Sequence, residues 1–310
     1  MSLPRALLTS LSALSNGAAC TPPNPTRPKE RYHTDEMWVL QIAPWVFKWH
    51  QIIAYTCALF EVLSFLLTLL PASPLSPALG VLTCPATLVT HPAPLSSYLP
   101  FSLSSLFSTS LISPTTPSTL TSASPTATSL QTLASPTAPS PWTGATPLRA
   151  TPIYLLGALS VLLGTYIRLD CFSTLGEMFT FDLTVHPKHR LVTERFYSFV
   201  RHPAYTGSLM LVFGLALSHL TRGSWLSECA FPLLDAPFPF PLLGPAHAYP
   251  LLGLSSHKIR LVVWALWWAW TLCVGVSRAE AEDRQMRKLF GAEWEGYRRR
   301  VAWWFMPGVL

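Results

Sequence analysis

The sequence predicts an all-α polytopic membrane helix bundle, and three observations predict it. Half of the 310 residues are apolar and only 12% are charged, about half the charged share of a soluble domain. Four stretches are apolar enough to cross a bilayer as helices, which takes about 20 residues each. The basic residues collect in two segments separated by two of those stretches, so both segments fall on one side of a membrane. The net charge of +6 therefore reads as loops beside apolar spans and not as a nucleic-acid surface.

Residues 1–50 read as an N-terminal cytoplasmic segment. Its opening, MSLPRALLTSLSALSNGAAC, has a weak apolar core broken by Ser and Asn, as in a targeting segment or a disordered start. The first span is QIIAYTCALFEVLSFLLTLL, 51–70. It carries Glu61, a carboxylate that at such depth must face protein or be protonated. Residues 71–150 are Ser, Thr, Pro, Ala and Leu with Arg149 as their one charge, and the prolines exclude long helices and strands. This is a low-complexity insert, with a weaker candidate span at 97–112. The core, 151–310, holds the spans 151–169, 204–220 and 259–276 and a cytoplasmic C-terminal helix, 278–300. A second Pro-rich connection, 231–250, reads as irregular. Parity puts the insert on the face opposite the basic loops and returns the N-terminus, with Arg27, Lys29 and Arg31, to the cytoplasm. The six cysteines (Cys20, Cys57, Cys84, Cys171, Cys229, Cys273) are scattered without metal-ligand spacing and read as unpaired thiols, mostly buried.

The polar chemistry concentrates at the cytoplasmic base of the 204–220/259–276 hairpin. Arg201 and His202 precede Pro203, which suits the first turn of a helix because its missing amide would have had no partner there. The free backbone donors and positive dipole end near Arg201 suit an anionic group. His202 and Tyr205 lie on neighbouring faces of that turn. Downstream, Arg278, Glu282 and Gln285 share a helix face at spacings of four and three. Spacing alone is also satisfied by a plainer account, in which the basic groups anchor to headgroups and Arg278 with Glu282 forms a surface pair worth about 0.2–0.5 kcal/mol. A lone loop histidine such as His189 is commonly solvated, and Arg298, Arg299 and Arg300 suit a headgroup-facing patch.

Taken in order, HRLVTERFYSFVRHPAYTG, then RAEAEDRQMRKLFGAEWEGYRRRV and a terminal MPG resemble the isoprenylcysteine carboxyl methyltransferase family, membrane enzymes that methylate the C-terminus of prenylated CaaX proteins. The resemblance runs from about Leu163 to the end. It implies S-adenosylmethionine as cofactor, in a cytoplasm-facing pocket formed by the RHPxY turn and the C-terminal helix. Family cofactor contacts fall on His189, Arg190, Leu191, Val192, Tyr197, His202, Pro203, Ala204, Tyr205 and Glu282. The carboxylate of the prenylated C-terminal cysteine would meet Arg278, with Arg201 nearby, and no metal is implied. The endoplasmic reticulum membrane is the compartment implied. A carboxylate acceptor is ionised near neutral pH, so transfer asks for positioning and not for a general base. The chain departs from the family where a glycine turn, SGPY or SGVY, is usual: Glu194, Arg195, Phe196 and Tyr197 stand there. Three other readings compete: a methyltransferase acting on a phospholipid amine, a sterol-reductase-like protein binding a nicotinamide cofactor, and a lapsed paralogue serving as a scaffold.

Overall fold

The computed structural model describes residues 2–24, 43–70, 76–85, 148–181, 184, 187, 189–232 and 256–309. The regular elements are α1 (Leu3–Ala19), α2 (Ala43–Leu69), α3 (Ser76–Thr83), α4 (Pro152–Leu175), α5 (Pro203–His219), α6 (Ser256–Phe290) and α7 (Ala292–Arg300). Three helical stretches, Phe47–Leu69, Pro152–Met178 and Lys258–Phe290, are long and apolar enough to cross a membrane. The third expected span is α5, which at 17 residues is shorter than those three stretches. The expected candidate at 97–112 and the connection from 233 onward lie outside the described residues.

The pair α4/α5 is the most closely packed, and glycine makes it so. The two antiparallel helices cross with Gly157 against Gly214 and Gly164 against Gly207. A Cβ at Gly164 would stand 2.7 Å from the Gly207 carbonyl oxygen, and one at Gly207 would stand 2.8 Å from the Gly164 oxygen. Small residues that let backbones touch are the usual basis of helix association where lipid removes the hydrophobic drive. Ser160 adds a hydrogen bond across the pair, its hydroxyl donating to the Met210 carbonyl at 2.8 Å. Thr151 caps α4, accepting from the Tyr154 amide, and Pro152 and Pro203 occupy first turns.

The first helix is inside out. On α1, Leu3, Leu7, Leu11 and Leu14 are exposed while Arg5, Thr9, Ser12 and Asn16 are buried. The opening residues are thus not a disordered start: they make a helix packed on α2 and α4. The reason lies in Glu61. Its carboxylate, fully buried, receives Arg5 through Nε at 3.1 Å and Nη2 at 2.8 Å, the Thr9 hydroxyl at 2.8 Å and the Trp225 amide at 3.1 Å. The Tyr154 ring covers the guanidinium, 4.1 Å from its centroid. The expectation that Glu61 faces protein holds, and Arg5 is the partner.

The cysteines need one correction. Cys84 and Cys229 form a disulfide 145 residues apart in sequence, while Cys20, Cys57 and Cys171 are free and buried and Cys273 is free and exposed. Phe60 stacks on Trp225 at 4.6 Å, and the Trp225 indole donates to the Thr83 carbonyl at 2.6 Å. The disulfide therefore sits at the end of the bundle that holds Glu61. The opposite end holds the chemistry, as Arg168 shows by donating to the Ala19 carbonyl at 2.8 Å and the Ala204 carbonyl at 3.2 Å. The helix expected over 278–300 divides: α6 runs on to Phe290, Gly291 takes φ 51°, and α7 starts afresh.

Candidate active site

The RHPxY turn, the 189–198 loop and the lower half of α6 enclose one cavity. His189, Arg190, Leu191, Val192, Tyr197, Arg201, His202, Ala204, Tyr205, Arg278 and Glu282 all line it, so the expected site residues converge, save Pro203. Pro203 is fully buried beneath them at the start of α5. On α6 the lining positions are Trp270, Thr271, Val274, Gly275, Arg278, Glu282 and Met286. The face shared by Arg278 and Glu282 therefore continues to Met286 and not to Gln285, since steps of three and four mix along a regular helix and the step after Glu282 is four.

His202 is the hub of the polar cluster. Its Nδ1 lies 3.0 Å from Glu282 Oε2 and its Nε2 lies 2.8 Å from Asp283 Oδ1. Two carboxylates, one on each ring nitrogen, call for an imidazolium. Burial works against that charge, but hydrogen bonds and attraction from Asp283 and Glu282 outweigh it and raise the His202 pKa to about 9. The Tyr205 hydroxyl donates to the other oxygen of Glu282. Arg201 directs its guanidinium to Asp283 Oδ2 at 3.2 Å and the Val301 carbonyl at 3.3 Å, so its grip is on the turn itself. Arg278 donates through Nη2 to the Phe181 carbonyl.

A folded pKa of about 9 against about 6.5 unfolded has a sign. The bridge contributes its full stability below about pH 6.5 and has lost it once pH rises through about 9. Melting followed by intrinsic fluorescence in detergent is expected to fall across that window, and His202→Gln should flatten the fall. An unchanged slope in His202→Gln would rule out His202 as its source.

Sequence reasoning missed Asp283 and the strap that follows α7. The amides of Arg201 and His202 donate to the Trp303 and Trp304 carbonyls at 2.9 and 3.0 Å. The Thr206 hydroxyl donates to the Phe305 carbonyl at 2.7 Å, and the Trp304 indole to Asp283 Oδ2 at 2.8 Å. The VAWWF stretch thus closes over the turn. Its signal was present as the aromatic run before MPG, and Asp283 stood beside Glu282 in the motif. Tyr297 completes the frame, its hydroxyl donating to the Tyr197 carbonyl at 2.8 Å.

The departure at Arg195 is accommodated. Arg195 has φ 56°, the left-handed region where the family's glycine would sit at ease. Its half-exposed guanidinium pairs with the buried Asp170 carboxylate. Left-handed backbone costs a side-chain-bearing residue about 1–2 kcal/mol, so the pair offsets strain. Both Arg195→Ala and Arg195→Gly lose the pair, but only the alanine variant keeps the strain. The glycine variant is expected to be the more stable of the two by about 1 kcal/mol. Equal melting temperatures would show that the turn does not hold a positive φ.

The isoprenylcysteine carboxyl methyltransferase family model matches residues 155–235, which include most of α4, the 189–198 loop, the RHPxY turn and α5. No curated protein and no solved structure matches the chain.

Proposed function

We propose that the chain is a member of the isoprenylcysteine carboxyl methyltransferase family, whose family model matches residues 155–235, and that it methylates the α-carboxylate of a C-terminal prenylcysteine of CaaX-processed proteins, using S-adenosylmethionine. The observation that carries this reading is the α6 face. Arg278 and Glu282 point into one cavity with the RHPxY turn, and Glu282 is held by His202 and Tyr205.

The donor set suits both ligands. S-adenosylmethionine brings an electrophilic sulfonium methyl, an ammonium, a carboxylate and ribose hydroxyls. Glu282, fixed at both oxygens, presents a negative field and remaining lone pairs to cationic or hydroxyl groups. Tyr197 and Tyr205 offer aromatic faces to a cation. Arg278 offers a planar fork to a carboxylate, which a lysine would not copy. Arg201 holds the turn through Asp283 and Val301 and so keeps His202 under Glu282. The residues bind, orient and preorganise a field, and the ionised acceptor needs no base. An amine acceptor must shed a proton. The cavity-facing carboxylate of α6, Glu282, is held by His202 and Tyr205, which favours the acceptor that needs no base.

The disulfide supports one orientation. Cys84–Cys229 lies at the end remote from the cavity, and disulfides persist in oxidising compartments. The reading therefore has the cavity facing the cytoplasm across an endoplasmic reticulum membrane, with the prenyl chain reaching it from the bilayer. The test is labelled methyl transfer from S-adenosylmethionine to N-acetyl-S-farnesylcysteine in membranes carrying the chain, beside Arg278→Ala. Product that depends on Arg278 is expected. No product at normal expression would overturn this acceptor, and methylated amine lipid would point to the phospholipid alternative.

A further inference from the structure

Two buried polar groups lining the same cavity are not used by the reaction above. Arg168, on α4, is 3% exposed. Its guanidinium meets neutral atoms: Nε donates to the Ala19 carbonyl at 2.8 Å, and Nη1 donates to the Ala204 carbonyl at 3.2 Å and the Ser208 hydroxyl at 2.5 Å. Phe47, Phe172 and Phe181 surround it, with ring centroids 5.1 to 5.4 Å from Cζ. Among the described residues Nη2 donates to nothing and no carboxylate pairs with the side chain. Asp170, two residues on, is turned to Arg195. Buried arginines are ordinarily paired with an anion, because a charge taken out of water is costly without one.

The second group is His50, on α2, at 2% exposure. The Trp267 indole donates to its Nε2 at 2.6 Å. An indole N–H only donates, so Nε2 must present a lone pair. The ring is therefore neutral and carries its proton on Nδ1. That atom is buried without a partner, and His50 lines the cavity. Phe47 links the two groups, 5.7 Å from the His50 ring and 5.1 Å from the Arg168 guanidinium carbon. A cationic donor with a free nitrogen and a neutral donor with a fixed tautomer thus share one aromatic-walled side of the cavity.

We propose that Arg168 and His50 form a carboxylate-binding subsite on the α2/α4 side of the cavity, with Arg168 Nη2 and His50 Nδ1 each donating to a ligand carboxylate. The proposal rests on the methyltransferase reading, under which two carboxylates reach the cavity: that of the lipid acceptor and that of the cofactor's amino-acid end. Binding would supply the guanidinium with its missing counter-charge and the imidazole with its missing acceptor, gains available only to an anionic ligand.

The experiment uses the full chain in lipid nanodiscs and two ligand pairs. One pair is S-adenosylmethionine and its decarboxylated form; the other is N-acetyl-S-farnesylcysteine and the alcohol that replaces its carboxylate. Dissociation constants are measured for wild type, His50→Phe, His50→Gln and Arg168→Lys. Wild type should favour the carboxylate-bearing member of at least one pair by about tenfold or more. His50→Phe and Arg168→Lys should bring the same preference toward unity, and His50→Gln, which keeps an N–H donor, should restore part of it. A collapse in the first pair assigns the subsite to the cofactor, and one in the second assigns it to the lipid acceptor. Unchanged preferences in both pairs overturn the proposal. Should Arg168→Lys fail to fold because it ties α1, α4 and α5 together, His50→Phe decides alone, since its hydrogen-bonding loss to the protein is the bond from Trp267. Wild type that binds neither pair overturns the methyltransferase reading and this one with it.

Discussion

Glu282→Gln is expected to cut methyl transfer by about 100-fold or more, equivalent to about 2.7 kcal/mol in transition-state binding. The substitution is nearly isosteric, so the loss comes from charge. Glu282 accepts from His202 Nδ1 at 3.0 Å and from Tyr205. An amide there keeps one acceptor oxygen and places an NH₂ donor where a second acceptor stood. Either the imidazolium or the phenol then faces a donor, and the buried cluster is left with an unmet polar group. The negative field presented to a cationic ligand also disappears. Most of the effect should fall on cofactor affinity, visible as a raised KM for S-adenosylmethionine and a lost thermal shift on adding it. Unchanged cofactor affinity in a folded Glu282→Gln protein would remove Glu282 from the binding site.

Gly164→Val should abolish folded protein. The first added carbon would lie 2.7 Å from a backbone oxygen of α5, and the neighbouring contacts at 3.0 and 3.1 Å belong to Met210 Cβ and the Leu211 amide. These are not flexible side-chain ends, so the helices must separate. Doing so would open the crossing at Gly207 as well, where the partner oxygen stands at 2.8 Å. Such overpacking costs about 3 kcal/mol or more where backbone has to move. Size-exclusion profiles of detergent extracts would show loss of the monodisperse peak. Leu163→Ala, one residue away but exposed, serves as the control expected to keep it. A normal Gly164→Val profile would mean the two helices are not in backbone contact.

These two cases mark how far local sequence reaches. Glu282 was legible because helical spacing put it on Arg278's face, and the RHPxY turn was legible because proline fixes a first turn. Long apolar runs gave α2, α4 and α6. What escaped depends on partners far along the chain. α1 looked like a broken apolar run because its polar residues point inward to Glu61 and its leucines outward, the reverse of a soluble helix. No spacing rule pairs Cys84 with Cys229. Asp283 has no helical partner; its worth comes from Arg201, His202 and Trp304, which only the folded turn brings together. Gln285 went the other way, assigned to a face by a three-residue step that α6 does not use at that point.

The described residues on either side of 86–147 are tied to one short segment, 223–229. Cys84 is bonded to Cys229, and on the far side the Arg149 amide donates to the Gly223 carbonyl at 3.2 Å while Arg5 donates to the Arg149 carbonyl. Cys84 and Arg149, described residues on either side of 86–147, are thus held at neighbouring points of the bundle, like two adjacent buttonholes. Loop-closure entropy grows only with the logarithm of length. Changing the length of sequence between those two anchors should therefore cost the bundle little.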